Sequence, residues 1–235
     1  MIEPQHHGRR RLPPLAVLAV VLLLAGTALV VVALRSQRHA PQPPASAAVP
    51  LGAVTASPAR TPDAGTNPPR RSPVSSGPVL ARALPLQLVI PAIGVSTDLL
   101  QLGLNPDHSV QVPPLSRHSE AGWYKYSPTP GQLGPAVILG HVDSAEYGPA
   151  VFFRLGALRP GNTLSITRAD HTAAVFRIDR VVSYPKDHFP TLQVYGNTGN
   201  AALRLITCGG KFDFTTRNYE SNIVAYASLV SSHPA

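Results

Sequence analysis

The chain has 235 residues, a formal net charge of +8 at pH 7, 26 prolines and a single cysteine. Most of the charge lies in the first 83 residues, which hold nine arginines and two acidic residues, whereas the remainder holds eleven basic and ten acidic side chains. This near-neutral remainder excludes the nucleic-acid binding that a strongly basic domain would indicate. The single cysteine excludes an intrachain disulfide framework.

An apolar stretch over residues 15–34 follows the basic cluster at residues 9–11 and contains no charged side chain. At about 1.5 Å per residue, a helix of this length spans about 30 Å, the thickness of the hydrocarbon core of a bilayer. We therefore predict a transmembrane anchor over residues 15–34 and a cytoplasmic basic N-terminus over residues 1–14, with the rest of the chain outside the cell. A cleaved signal peptide is the alternative, but its apolar region would be shorter.

Residues 35–83 are predicted to form a disordered linker rich in Pro and Ala. Ten prolines lie between residues 40 and 83, and no aromatic residue does. Such a segment buries too little apolar surface to offset the entropy lost on ordering. We expect it to hold a separate domain away from the membrane surface.

The predicted folded domain covers residues 84–235 and contains all fourteen aromatic residues. Short β-type runs bounded by turn residues recur along it, and helical pattern is nearly absent apart from one turn near 151–155. The predicted strands lie near 86–90, 110–112, 136–140, 163–167, 172–182, 202–208 and 222–230, with a hairpin turn at 169–171. Many short strands predict an all-β domain, either a closed barrel or a sandwich. Such a fold serves binding modules as well as enzymes, so the function must be argued from the site.

Three polar residues lie at or beyond the ends of predicted strands. His141 follows one apolar strand, Cys208 ends another, and Arg217 comes nine residues later. A histidine and a cysteine at the ends of neighbouring strands would form a nucleophile with its acid–base partner. Each residue also has a plainer interpretation, as an exposed histidine, a buried cysteine and a solvated arginine. The other histidines show no metal-ligand spacing, so we expect no zinc site.

The sequence around these residues resembles the sortase family. The run Leu205-Ile206-Thr207-Cys208, with Arg217 after it, matches the family's Leu-x-Thr-Cys and arginine pattern, and Gly140-His141-Val142-Asp143-Ser144 matches its histidine segment. The stretch from Thr207 to Asp213 looks like the actinobacterial class F group. The resemblance covers residues 84–230 and implies an eight-stranded closed β-barrel with short helical turns.

The resemblance also implies an activity, namely the cleavage of a Leu-Pro-x-Thr-Gly-type sorting signal on surface proteins and transfer of the acyl group to a cell-wall amine. Cys208 would form the thioacyl intermediate, and His141 would exchange protons with the leaving and incoming amines. Arg217 would donate hydrogen bonds to the oxyanion or the substrate backbone, and Thr207 would lie at the substrate-binding site. Residues 186–200 would shape the groove for the sorting signal. No metal or other cofactor is implied.

Two alternatives remain open from the sequence. The first is an exported cysteine peptidase that only hydrolyses, because water or an amine can resolve the same thioacyl intermediate. The second is a membrane-tethered β-barrel that binds peptides without catalysis, for which Cys208 would be dispensable.

Overall fold

The computed structural model describes residues 39–44 and 77–235, in which eight strands close into one barrel with the order β1-β2-β3-β4-β9-β10-β8-β7. The barrel strands are β1 (Pro85–Ile90), β2 (Val95–Leu102), β3 (Ala121–Tyr124), β4 (Gly134–Leu139), β7 (Thr163–Arg168), β8 (Thr172–Pro185), β9 (Ala201–Asp213) and β10 (Asn218–Pro234). A separate two-stranded sheet pairs β5 (Asp143–Ser144) with β6 (Gly148–Pro149). The all-β closed barrel predicted from the sequence is confirmed.

Two parallel pairings organise the barrel, β2 with β3 and β4 with β9, and all its other pairings are antiparallel. Because side chains alternate across a strand, each strand presents one row to the barrel interior and one row to the outside. On β9, Leu203 and Leu205 belong to the interior core, whereas Ile206 belongs to a second apolar cluster on the outer wall. The outer cluster consists of Val137, Val182, Tyr184, Val194, Ile206, Val224 and Tyr226.

Short helices connect some of the strands. Three are 3₁₀ turns, at Pro91–Ile93, Leu155–Ala157 and Lys186–His188, and the α-helix α1 covers Thr191–Tyr195. The side chain of Val194 on α1 is fully buried against the outer cluster. The predicted helical turn near residues 151–155 corresponds to a series of turns that continues into the second 3₁₀ helix. Within the described ranges, no helix is both long and apolar enough to cross a bilayer. The predicted anchor at residues 15–34 lies outside those ranges.

The strand predictions were wrong in one place and incomplete in two. The predicted strand at 110–112 is only an isolated bridge between Val110 and Leu104. Strands β2 and β3 were not predicted from the sequence. β2 contains Ser, Thr, Asp and Gln, and only Thr97 and Leu102 in it are buried. Its composition therefore does not indicate a strand, and only its pairing with β1 and β3 defines it. β3 has only four residues, too few for a periodic pattern.

Residues before position 84 already contact the barrel. The Leu80 N–H donates to the Gly131 carbonyl at 2.8 Å, and the buried guanidinium of Arg168 donates to the Ala81 carbonyl. Near the N-terminal end of the predicted linker, the Gln42 side chain accepts a hydrogen bond from the backbone of the barrel. Residues 45–76 of that linker lie outside the described ranges, and the domain boundary at residue 84 stays a prediction.

Candidate active site

Cys208 lies on the outer wall of the barrel, near the end where β9 leaves the regular sheet. It is two residues beyond Ile206, so strand alternation places both side chains on the same face. Its side chain is half-buried and forms no disulfide, and its partner across the ladder is Asn222 on β10. The thiol is therefore accessible at the end of an apolar wall.

Beyond Cys208 the β9–β10 ladder is irregular. Gly209 pairs with Ser221, and Phe212 pairs with Tyr219, so β9 carries one extra residue between the two pairs. Gly210 lies in this bulge with a φ of 77°, a left-handed conformation that favours glycine. A bulge increases the local twist and bends the strand. Together with its partner β10, β9 therefore changes direction directly after the cysteine.

His141 is brought beside Cys208 by the parallel pairing of β4 and β9. Leu139 is the partner of Ile206, and the Gly140 N–H donates to the Ile206 carbonyl at 3.1 Å. Two further residues along this register bring the chain to His141 on one side and Cys208 on the other. Neighbouring strands are about 4.8 Å apart, so the two residues lie at the same end of adjacent strands. The sequence prediction that these two strands are neighbours is confirmed.

Two hydrogen bonds fix His141, one through its imidazole and one through its backbone carbonyl. Its Nε2 lies 2.6 Å from the Pro113 carbonyl oxygen. Because a carbonyl only accepts hydrogen bonds, Nε2 carries the proton and Nδ1 is left to exchange protons in the neutral ring. The His141 carbonyl accepts a hydrogen bond from the N–H of Phe152, whose ring is fully buried in the core. The ring's tautomer and the backbone position are thus both set by contacts outside the β4 strand.

A side-chain hydrogen bond links the histidine segment to β10. The Tyr219 hydroxyl donates to the Asp143 carboxylate with an oxygen–oxygen distance of 2.5 Å. The pKa of Tyr219 lies well above its ordinary value because of burial first, then the hydrogen bond to Asp143 and the negative charges of Asp143 and Cys208. The tyrosine therefore remains a protonated donor at neutral pH. Neither residue was singled out as functional from the sequence, although Asp143 lies in the motif around His141.

The two other predicted site residues are placed differently. Arg217 is exposed, lies in the turn between β9 and β10 with a φ of 53°, and makes no hydrogen bond or ion pair in the described part of the chain. Its position is five residues along the chain from Asn222, the ladder partner of Cys208, which is about 16 Å in an extended chain.

Thr207 is buried, and because it precedes Cys208 on β9 its side chain faces the barrel interior. Its hydroxyl has no hydrogen-bond partner among the described residues. The roles of both residues stay predictions.

Two surface features border the site. The segment 186–200 covers the outer wall next to Ile206, because Val194 packs into the outer cluster there. An open cleft lies against His141, and Arg117 and Tyr147 line it. No group of three or more His, Cys, Asp or Glu side chains within residues 39–44 and 77–235 is arranged to hold a metal ion.

This arrangement can perform acyl transfer without a metal. A half-buried thiol is available as a nucleophile, an imidazole at the end of the neighbouring strand is available as an acid and base, and an open cleft lies against the imidazole. The fold and the site together define a cysteine acyl-transfer enzyme built on a closed β-barrel.

Comparison with known proteins identifies the family. Residues 88–230 match the family model of the sortase domain, and this match covers more than half of the sequence. The chain therefore belongs to the sortase family. Its fold is similar to that of sortase A from Listeria monocytogenes, with 15% identity, a TM-score of 0.48 and coverage of 66% of this chain and 92% of that chain. It is also similar to the sortase D5 transpeptidase of Clostridium perfringens, with 19% identity, a TM-score of 0.46 and coverages of 63% and 79%. The SrtA sortase of Actinomyces oris has 17% identity, a TM-score of 0.47 and coverages of 66% and 84%. No curated protein matches the chain.

The sortase domain places this chain among the cysteine transpeptidases. The family resemblance read from the residues around His141 and Cys208 is therefore confirmed at the level of the family, and so is the enzyme class.

Proposed function

We propose that this protein is a membrane-anchored sortase of the actinobacterial class F type, with its N-terminus in the cytoplasm and its catalytic domain outside the cell. It would cleave a Leu-Pro-x-Thr-Gly-type sorting signal on surface proteins and join the protein to an amine of the cell-wall precursor or peptidoglycan. The observation that carries this proposal is the parallel register of β4 and β9, which supports His141 as the acid–base partner of Cys208.

The reaction proceeds in two acyl transfers. His141 takes the thiol proton of Cys208 at Nδ1, and the resulting thiolate attacks the threonine carbonyl to form a carbon–sulfur bond. The protonated imidazole then donates that proton to the glycine nitrogen as the carbon–nitrogen bond breaks. An acceptor amine then attacks the thioacyl carbon and gives its proton to His141. The carbon–sulfur bond breaks, and the thiolate is released for the next cycle.

The surroundings of the two residues support a division of the site into two halves. The segment 186–200 and the apolar outer wall next to it suit the extended sorting signal. Thr207 is proposed to contribute to that side from beneath the wall, because its buried side chain faces the barrel interior. The cleft beside His141 suits the incoming amine, because an acceptor there reaches the imidazole directly. Arg217, which has no ion-pair partner in the described part of the chain, is proposed to fold back and donate to the oxyanion or the substrate backbone.

A peptide-library assay tests the proposal. The full chain is incubated with peptides that carry varied sorting signals, with and without an amine acceptor, and the products are identified by mass spectrometry. We expect cleavage between Thr and Gly and a ligated product when the amine is present. Cleavage without ligation at any amine concentration would indicate the purely hydrolytic peptidase. Binding without cleavage, unchanged in Cys208→Ala, would indicate the non-catalytic barrel.

A further inference from the structure

The hydrogen bond between Tyr219 and Asp143 spans three strands. In the barrel order, β9 lies between β4 and β10, and Asp143 follows β4 by four residues whereas Tyr219 begins β10. Strands two apart in a sheet are separated by about 9.6 Å, so the link crosses β9 from one side to the other. Cys208 lies on the strand that is crossed, four residues before Phe212, which is the ladder partner of Tyr219.

Both ends of this link are fixed independently. The Tyr219 ring packs edge-on against Phe212 with a centroid distance of 5.0 Å. On the other side, Asp143 pairs with Pro149 in the small β5–β6 sheet. Neither side chain is therefore free to leave its position without disturbing its own neighbours. A hydrogen bond between two fixed groups is rigid enough to transmit position.

The segment that carries His141 needs such a tie. β4 ends at Leu139, so His141 lies beyond the regular sheet. The described hydrogen bonds of His141 itself go to the Pro113 carbonyl and the Phe152 N–H, and neither joins it to β9 or β10. Asp143 is two residues away and is the only member of the motif from Gly140 to Ser144 with a described side-chain contact to β10. The bulge at Gly210 bends β9 at the same level, which makes a second connection between the two sides important.

We propose that Tyr219 and Asp143 are a pair of positioning residues whose hydrogen bond holds His141 in register with Cys208. The inference rests on the proposed function, and neither residue touches the reacting atoms. Tyr219 acts as the donor and Asp143 as the acceptor. The pair works through hydrogen-bond geometry, so an amide oxygen at position 143 is an adequate acceptor.

The first test uses kinetics of the full chain with a cleavable sorting-signal peptide. Tyr219→Phe and Asp143→Ala are expected to lower kcat on the order of 10–10²-fold with KM within about threefold, because small displacements of a catalytic group have effects of this size. Asp143→Asn keeps an acceptor and is expected to stay within about threefold of wild type. The double variant Tyr219→Phe with Asp143→Ala should be no worse than either single variant, since one interaction is removed in each case. Tyr126→Phe, which alters an exposed hydroxyl elsewhere, is the matched control.

Labelling by iodoacetamide separates positioning from damage to the nucleophile. Cys208 is the only cysteine of the chain, so the rate of labelling reports on that thiol alone. We expect labelling within about threefold of wild type in Tyr219→Phe while peptide cleavage falls. The proposal is overturned if kcat of Tyr219→Phe is within twofold of wild type. It is also overturned if Asp143→Asn loses as much as Asp143→Ala, because the carboxylate charge would then be the important property.

A second test does not depend on catalysis and keeps the two proposals distinguishable. Amide hydrogen exchange of residues 140–144 is measured in the folded full chain. Tyr219→Phe and Asp143→Ala are each expected to increase the exchange rate of these amides by about 2–10-fold. This factor corresponds to the net free energy of one ordinary hydrogen bond. Tyr126→Phe should leave the exchange rate unchanged. Unchanged exchange in both variants would overturn the positioning role. Increased exchange in a chain that cleaves no sorting-signal peptide would support the pair and overturn the proposed function instead.

Discussion

Gly140→Ala is expected to displace His141, the proposed acid–base residue, because the added methyl group would press on the barrel core. A methyl group at this position would lie 2.6 Å from Cδ2 of Phe152 and 2.7 Å from Cγ1 of Val151, whereas ordinary contacts are 3.4–4 Å. The groups must therefore separate by about 0.8 Å or more. Phe152 is fully buried and has little room to move, so the backbone at Gly140 and His141 must shift.

The expected magnitudes follow from this displacement. Overpacking of a core costs about 1–3 kcal/mol of folding free energy, and for a domain of this size each kcal/mol lowers Tm by about 2–4 °C. A misplacement near 1 Å of a catalytic group costs about 10²-fold in rate. We therefore expect a modest loss of stability in thermal unfolding and a much larger loss of kcat in peptide cleavage.

Two companion variants make the test specific. Phe152→Leu, combined with Gly140→Ala, provides space for the new methyl group and should recover part of the lost kcat, a non-additive result for residues in contact. Gly103→Ala is the control, because its methyl group would meet only the flexible ends of Gln111 and Lys125 at 3.2 and 3.3 Å. Wild-type kcat and Tm in Gly140→Ala would refute the reasoning, as would an equally large loss of kcat in Gly103→Ala.

Four further predictions concern the nucleophile, the arginine, the domain boundary and pH. Cys208→Ala should abolish cleavage and the trapped thioacyl species with an unchanged circular dichroism spectrum, and Cys208→Ser should be nearly as inactive because a hydroxyl is a far weaker nucleophile. Arg217→Lys should lower kcat by about 10²–10³-fold, with iodoacetamide labelling much less affected, if its directed donors serve the oxyanion; cleavage within a few-fold of wild type would contradict that role. A truncated chain that begins at Leu84 lacks the Ala81 carbonyl, which accepts a hydrogen bond from the buried guanidinium of Arg168. Its free energy of unfolding in urea should be about 1–3 kcal/mol lower than that of a chain that keeps residues 77–83. The pKa of Tyr219 is raised in the folded state, so its contribution to the free energy of unfolding is complete below the unfolded pKa near 10. That contribution is lost as pH rises toward the folded pKa. The free energy of unfolding should therefore fall less between about pH 9 and 11 in Tyr219→Phe than in wild type.

The sequence by itself determined the fold class and the family, and it predicted the residues of the site. Strands β1, β4, β7, β8, β9 and β10 each contain a β-type run that local pattern predicts. The observed β8, β9 and β10 extend beyond the predicted runs. The runs around His141 and Cys208 carried the family resemblance, because they contain the nucleophile and the acid–base residue that the chemistry requires. β2 and β3 could not be found this way, since their pairing partners define them rather than their own composition.

Only the tertiary structure decided how the site is held together. His141 and Cys208 are 67 positions apart, and their proximity depends on the parallel pairing of β4 with β9, which no local pattern specifies. The tautomer of His141 depends on Pro113, and the link across β9 depends on Tyr219. These contacts join residues that are 28 and 76 positions apart. Closure of the barrel brings these residues together in space. The ends of β4 and β9 and the start of β10 meet at one rim, because the inward-facing side chains of all three strands pack into the same core.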